Sequence, residues 1–362
     1  MSILQLLPYP TASHPGGSIK LEGQELLGAP PSVLRKVRGN RISMIFQEPM
    51  SSLNPLHTVE KQVSEVLILH RKMSREAAYD RTLELLHLVG LYEAEARIKA
   101  LPHELSGGQR QRVMIAMALA NEPDMLIADE PATALDVTIQ AQILKLLKDL
   151  QSRFGMAMLY ITHDLSVVRK VSDRVCIMKE GEIVESGPKS KIFGSPSHPY
   201  TRHLLASEPR EVAAASPGTA PIIHTDNLRV WFPIKAGVLR RTVGYVKAVD
   251  GVTVKVNAGQ TVGVVGESGS GKTTLALGLL RLISSKGPIY FKDQLIQELR
   301  YRALRPLRRE MQIIFQDPFG SLSPRMSIGQ IIEEGLKVHR IGSTPEEREA
   351  LILNSNSHFG LD

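Results

Sequence analysis

The stretch GESGSGKTT, Gly266–Thr274, has the residue types and spacing of a phosphate-binding loop. Its glycines let backbone N–H groups wrap around phosphate oxygens, because any Cβ atom would crowd that approach. Lys272 can reach a phosphate, the hydroxyl of Thr273 is a ligand for Mg²⁺, and the flanking pattern predicts a strand, a turn and a helix. The residues expected to bind phosphate are Gly266, Glu267, Ser268, Gly269, Ser270, Gly271, Lys272, Thr273 and Thr274.

A second group of chemistry-bearing residues follows two apolar runs earlier in the chain. The run MLIA in DMLIADEP ends in Asp129 and Glu130, and His163 comes just after the apolar run in MAMLYITHDL. Such runs are typical of strands in a parallel sheet, whose carboxyl ends bind ligands. We expect Asp129 to hold Mg²⁺ through water, Glu130 to polarise an attacking water, and His163 to sense a γ-phosphate or orient that water. Solvated acids and a structural histidine are the alternative interpretations.

The segment ELSGGQRQRVMIAMALA predicts a helix whose amino end could bind an anion. Ser106 is its expected N-cap, and Gly107 and Gly108 leave the first N–H groups unobstructed at the positive end of the helix dipole. An ordinary capped helix that begins with glycines would read the same way. The candidate ligands here are Ser106, Gly107, Gly108 and Gln109.

An internal repeat divides the chain. MIFQEPMSSLNP recurs as IIFQDPFGSLSP, with Gln47 and Gln316 at matching positions 269 residues apart, and two further matches flank this one at a spacing of 270. Three matches in register predict a duplicated domain. The residues 209–221 are rich in Ala, Pro, Ser and Gly and predict a linker between a first domain, 1–208, and a second domain, 222–362.

Together these motifs resemble one family. ELSGGQRQR, LIADEPATALD, ITHD and IFQEP are similar to the signature, Walker B, D-loop, H-loop and Q-loop of ABC-type ATPases, and IFGSPSHPYTRHLLASEP resembles the oligopeptide/dipeptide importer branch. The resemblance covers nearly the whole chain and is closest to fused double-ATPase subunits. It implies an α/β fold: a P-loop NTPase with helical and antiparallel β subdomains, present here as two incomplete copies.

The resemblance also implies cofactors and roles. ATP and Mg²⁺ would bind, with Gln47 and Gln316 as the Q-loop residues that contact Mg²⁺ or water. Phe232 is expected to stack on the adenine, Tyr245 is the alternative choice, and simple strand packing is the other interpretation. Because domains of this family pair head to tail, the loop that carries Lys272 would face the signature at Ser106.

Neither copy carries every motif. The first domain lacks its Walker A, and the second lacks its signature, Walker B and H-loop, as if a double-ATPase were cut at both ends. We therefore expect weak to moderate nucleotide binding and very slow or absent hydrolysis by this chain alone. A permuted arrangement is the alternative, in which the two blocks close into one domain and Lys272 joins Glu130 and His163.

By resemblance, the function is to energise peptide import at the cytoplasmic face of the inner membrane. The expected partners are two membrane-spanning permeases and an extracytoplasmic peptide-binding protein, with ABC-domain pairing within the chain or with another copy. An inactive remnant that binds ATP without transport is the alternative. The net charge of +7 indicates a mildly basic surface, and because the basic clusters at Arg300–Arg309 and Arg35–Arg41 lack interleaved aromatic platforms we expect no nucleic-acid partner. One cysteine excludes an internal disulfide framework.

Overall fold

The computed structural model describes residues 1–48, 52–132, 135–207, 220–237 and 240–358. The chain forms two compact units, Met1–Glu211 (unit 1) and Val212–Asp362 (unit 2). Most of the predicted linker, residues 209–219, lies outside the described residues. No helix in the described ranges is long and apolar enough to cross a membrane.

A parallel sheet forms the centre of unit 1. Its three strands are β3 (Ile42–Ile45), β4 (Met125–Asp129) and β5 (Ala157–Ile161), with β4 in the middle. The middle of β4 is buried on both faces, as expected for a parallel strand covered by helices. The strand predicted from MLIA is therefore confirmed.

Helices pack around this sheet. A core of fully buried side chains that includes Val63, Leu85 and Ile115 joins three of them, α2, α3 and α5. Thr58, Ser74 and Ser106 cap these three helices by accepting a backbone N–H three residues on. The helices of this region are α1 (Pro31–Val37), α2 (Val59–Arg71), α3 (Arg75–Leu88), α4 (Ala94–Arg97), α5 (Gly107–Leu119), α6 (Val137–Phe154) and α7 (Leu165–Val171).

Two small antiparallel hairpins complete unit 1. The first pairs β1 (Lys20–Leu21) with β2 (Gln24–Glu25). The second pairs β6 (Arg174–Lys179) with β7 (Glu182–Pro188) around the turn in KEGE. The hairpin is followed by α8 (Lys189–Gly194) and α9 (Pro199–Ala206). The carboxylate of Glu185 accepts the N–H groups of Ser197 and His198 and so ties the start of α9 to β7.

Unit 2 is built on an antiparallel sheet. Its strands, in the order β11-β10-β8-β9, are β8 (Pro221–Ala236), β9 (Arg241–Asn257), β10 (Ile289–Phe291) and β11 (Gln294–Leu295). Phe232 lies within β8, because pairing with β9 continues to Ala236. The helices are α10 (Lys272–Leu279), α11 (Tyr301–Leu307), α12 (Pro318–Ser321), α13 (Ile328–His339) and α14 (Pro345–His358).

The strand predicted before the phosphate loop is wrong. The segment Thr261–Glu267 is exposed and irregular, and so is most of Met311–Gln316, the repeat of β3. Ile45 in β3 is 0% exposed, whereas its counterpart Ile314 is 99% exposed. In unit 1, β4 satisfies the backbone groups of β3, but among the described residues of unit 2 no strand pairs with Met311–Gln316. Pairing, not the apolar pattern alone, makes the strand.

The helical core of unit 1 leads to a first prediction. Leu85 is fully buried between helices, whereas Leu69 on α2 is 60% exposed. Leu85→Ala should lower the free energy of unfolding by about 2–5 kcal/mol because it loses burial and leaves a cavity. The matched change Leu69→Ala should cost well under about 1 kcal/mol. Urea unfolding followed by circular dichroism measures both, and equal losses would contradict this packing.

Candidate functional site

The candidate catalytic residues of unit 1 meet at the carboxyl edge of the parallel sheet. The amide Nε2 of Gln47 donates to Oε2 of Glu130 at 2.9 Å, and Nδ1 of His163 lies 2.8 Å from Oε1 of the same carboxylate. Gln47 follows β3, Glu130 follows β4 and His163 follows β5. Because the strands are parallel and adjacent, their ends bring the three side chains together.

The backbone at Glu130 is unusual. Its φ is 45°, in the left-handed region that residues other than glycine seldom adopt. Its N–H donates to the carbonyl of Ile161 at 2.9 Å, which extends the β4–β5 ladder by one bond. Such strain is concentrated at functional sites, where the surrounding structure holds a side chain in a required direction. Asp129, the expected Mg²⁺ residue, is the half-buried last residue of β4.

The charged side chains at this edge of the sheet shift the pKa values of their neighbours. The hydrogen bond that His163 donates to the carboxylate of Glu130, and then the negative charge of that carboxylate, raise the pKa of His163, whose side chain is mostly exposed. Burial raises the pKa of the neighbouring Tyr160, and the charges of Asp164 and Glu130 add to that rise. The site thus favours an imidazolium paired with a carboxylate.

A cleft of about 200 Å³ opens beside this pair. Sequence reasoning did not assign Tyr160 or Thr162 to the site, although both lie in the quoted run before His163. The alternation of side chains along a strand could have indicated them, because successive side chains point to opposite faces of the sheet. The cleft is lined by Glu130, Ala132, Leu135, Gln140, Tyr160, Thr162, His163 and Asp164.

The amino end of α5 has the expected cap and a further bond. The hydroxyl of Ser106 accepts the N–H of Gln109 at 3.3 Å, and the Gln109 side chain accepts the N–H of Ser106 at 2.9 Å. This reciprocal capping box was not foreseen. A Cβ atom on Gly108 would lie 3.1 Å from the Ile139 side chain, and one on Gly107 would lie 3.6 Å from that of Leu135. The glycine at 108 therefore also has a packing role against α6.

The phosphate loop of unit 2 is folded around its lysine. The ammonium of Lys272 donates to the carbonyls of Gly266 and Glu267, both at 2.7 Å. Gly271 has a φ of 92°, and a Cβ atom there would lie 2.0 Å from the carbonyl oxygen of Ala248. Only glycine fits that position. The loop thus curls over the start of α10 with the cation inside the curl.

The other predicted residues of unit 2 surround this loop or lie along β8. Thr273 is exposed and Thr274 half-buried in the first turn of α10, and Glu267, Ser268, Gly269 and Ser270 are exposed. Gln316 is exposed in an irregular segment. Tyr245 lies 5.9 Å from Trp231, centroid to centroid, and so shares its face of the hairpin. Phe232, the next residue along β8, points to the other face.

The polar groups of the phosphate loop are better suited to bind a phosphate than to coordinate a metal ion by themselves. An ammonium group, hydroxyl groups and the backbone N–H groups of a glycine-rich loop are the groups that bind nucleotide phosphates. Within the described parts of the chain, no group of three or more His, Cys, Asp or Glu side chains could hold a metal. The hydroxyl of Thr273 and the amide oxygen of Gln316 are hard oxygen ligands, which suit Mg²⁺ that binds together with a phosphate.

Comparison with known proteins gives two family matches. A model described as "ABC transporter" matches residues 2–133 and 249–358. A model described as "Oligopeptide/dipeptide transporter, C-terminal region" matches residues 184–227. The first match falls in two segments, one in each unit, which agrees with the repeat.

Curated relatives align along the whole chain. It is 59% identical to "Peptidoglycan transport ATP-binding protein YejF" of Agrobacterium fabrum (strain C58) and covers 66% of that protein. It is 51% identical to "Uncharacterized ABC transporter ATP-binding protein YejF" of Escherichia coli (strain K12) and covers 69% of it. It is 43% identical to "Glutathione import ATP-binding protein GsiA" of Pectobacterium atrosepticum and covers 64% of it. The chain thus spans about two thirds of the length of these relatives.

The carboxylate–imidazole pair predicts a specific titration. His163 should titrate above the ordinary histidine pKa of 6.5, because Glu130 stabilises its charged form. Glu130→Gln should lower the pKa of His163 towards that value, and NMR of the imidazole protons measures both. Since the folded-state pKa is raised, the pair stabilises the fold fully below about pH 6.5 and loses this contribution as pH rises through the raised pKa.

A matched control separates this contact from net charge. Glu65→Gln removes an exposed carboxyl group from the helix α2 and should leave the His163 titration unchanged. An identical titration in the wild type and in Glu130→Gln would contradict the assigned pair.

Proposed function

We propose, on the premise that this chain belongs to the ABC transporter family of ATP-binding proteins, that it is an ATP-binding component of a peptide import system. The observation that carries the proposal is the phosphate loop, with Lys272 inside the curl at the start of a helix. The match of residues 184–227 to the oligopeptide/dipeptide transporter region supports a peptide as the cargo.

In this proposal the loop of unit 2 binds ATP. Lys272 and the N–H groups from Gly266 to Thr274 hold the phosphates, and Thr273 and Gln316 supply oxygens to Mg²⁺. Phe232 stacks on the adenine. This role is supported by the position of Phe232 on a half-exposed face of the hairpin, opposite the face that carries Tyr245. Bound ATP supplies the phosphoryl group whose transfer to water releases free energy.

The cluster in unit 1 has the groups needed to direct a water molecule. The Glu130 carboxylate can accept a proton from water, and Gln47 and His163 hold that carboxylate from two sides. The raised pKa of His163 favours its positively charged form beside the carboxylate, where the imidazolium can also contact a terminal phosphate. Asp129 holds Mg²⁺ through water.

The signature residues complete the proposed function. Ser106, Gly107, Gly108 and Gln109 present the amino end of α5, a helix of 13 residues, to the phosphates of a paired ABC domain. The paired domain belongs to this chain or to another copy. Two permeases and an extracytoplasmic peptide-binding protein are the further partners, and the chain acts peripherally at the cytoplasmic face of the inner membrane.

A second candidate is an ATP-binding module that does not energise transport. The exposure of Thr261–Ser270 favours it, because the loop follows an irregular segment that pairs with no strand in the described parts of unit 2. Slow turnover follows, since catalysis depends on groups held in fixed positions. Turnover by this chain alone is therefore proposed to be very slow or absent.

The loop can be tested by direct binding. Lys272→Ala should weaken the binding of a fluorescent ATP analogue by about 10- to 100-fold, because a charge-assisted hydrogen bond contributes about 1.5–3 kcal/mol. The control Lys286→Ala removes an exposed lysine of the same unit and should bind as the wild type does. Equal binding by all three proteins would contradict the proposal.

Turnover separates the two candidates. Sustained ATP hydrolysis by the purified chain that Lys272→Ala abolishes would overturn the claim of slow turnover and favour an active ATPase. ATP-dependent peptide uptake in vesicles with the permeases and this chain would exclude the module without transport.

A further inference from the structure

The described residues of the distal part of the β8–β9 hairpin, 231–237 and 240–247, are called the arm. Burial changes abruptly where the arm begins: Val230 is 1% exposed beneath α10, and the large apolar side chains beyond it are 36–66% exposed. These exposed residues are Trp231, Phe232, Ile234, Val243, Tyr245 and Val246. A concentration of exposed apolar side chains of this kind marks an interaction surface.

The arm carries only positive charge. Residues 231–247 contain Lys235, Arg240, Arg241 and Lys247 and no Asp or Glu. Lys247 lies 3.4 Å from Asp250, at the base of the arm. Within the described ranges, the other three cations form no ion pair, so their charge is available to an anionic surface.

Aromatic and cationic side chains adjoin on one face. The ammonium of Lys247 lies 4.5 Å from the centroid of the Trp231 ring, and the Trp231 and Tyr245 rings are 5.9 Å apart. Phe232 and Val246 are paired across the ladder and share the opposite face. Both faces are therefore apolar and partly exposed, which is unlike a hairpin that covers a core with one face.

The arm is long enough to extend away from the core of unit 2 and contact another surface. Strands rise about 3.3 Å per residue, so the six residues from Trp231 to Ala236 extend roughly 20 Å. Pairing of β8 with β10 involves only Ile223, His224 and Thr225, well before the arm.

We propose that the arm binds the surface of a lipid bilayer that contains anionic headgroups. Trp and Tyr are favoured at the boundary between headgroups and acyl chains, and Lys and Arg extend their charges to the phosphates while their stems contact apolar groups. A single-stranded nucleic acid would also use the aromatic rings and cations, but it offers nothing to the aliphatic Ile234, Val243 and Val246. The bilayer matches all three kinds of side chain.

This contact goes beyond the proposed function and does not depend on it, because it uses the exposed side chains of the arm other than Phe232, which the proposed function assigns to the adenine. A peripheral ATPase can be held at a membrane by its permeases alone, whereas the arm gives unit 2 an attachment of its own. The contact requires neither Lys272 nor the cluster around Glu130.

The chain contains one tryptophan, Trp231, so intrinsic tryptophan fluorescence reports on the arm directly. The full chain is mixed with vesicles of phosphatidylcholine alone or of an equimolar mixture with phosphatidylglycerol. We expect a blue shift and co-sedimentation with the anionic vesicles, both weakened by high salt. An equal shift with both vesicles, or no shift with either, would overturn the proposal. A shift with a single-stranded oligonucleotide in place of the vesicles would overturn it as well.

Charge-reversal variants supply the control. Lys235→Glu with Arg241→Glu should lower the vesicle partition coefficient by at least about 20-fold, since each cation near an anionic surface contributes about fivefold. Lys99→Glu with Lys145→Glu changes the net charge equally on exposed sites of unit 1 and should bind as the wild type does. Equal loss in both double variants would show attraction by net charge only and overturn the arm's role.

The apolar contribution is tested separately. Ile234→Ser with Val243→Ser keeps every charge and should abolish the blue shift while circular dichroism stays unchanged. A wild-type shift in this variant would overturn the insertion of the arm.

Discussion

Parallel pairing of β3 with β4 and of β4 with β5 is the interaction on which the rest of unit 1 depends. Each strand satisfies backbone groups of the next, and the middle of β4 is buried on both faces. The same pairing aligns the strand ends, so that Gln47, Glu130 and His163 meet within hydrogen-bonding distance. The same strand pairing therefore forms the sheet of unit 1 and brings the candidate catalytic residues together.

In unit 2 the same sequence pattern recurs, but no strand among the described residues pairs with it. β10 and β11 form a local hairpin in unit 2 as β1 and β2 do in unit 1, and β10 also pairs with β8. Ile314 and its neighbours have the apolar pattern of β3 but remain exposed. The phosphate loop with Lys272 forms from its own glycines, yet the segment before it is not held in a sheet. Local signals build the loop, and long-range pairing is needed to support it.

This difference explains how far the sequence could predict the structure. The strand β4, the β6–β7 hairpin and the cap at Ser106 were predictable, because apolar runs, turn residues and capping residues act over a few positions. The left-handed backbone of Glu130 and the close contact of Gly108 with Ile139 were not, since both depend on segments distant in the chain. The strand before the phosphate loop was predicted wrongly, because an apolar run does not reveal whether a neighbour is present. The roles of the site residues in binding and hydrolysis stay predictions.

Hydrogen exchange of backbone amides tests the dependence on pairing most directly. In the native chain, amides of Ile42–Ile45 should exchange orders of magnitude more slowly than those of the matching segment Met311–Ile314, because only the first segment is paired within a sheet. Comparable protection of the two segments would contradict the claim that the neighbouring strand, and not the apolar pattern, forms this part of the fold.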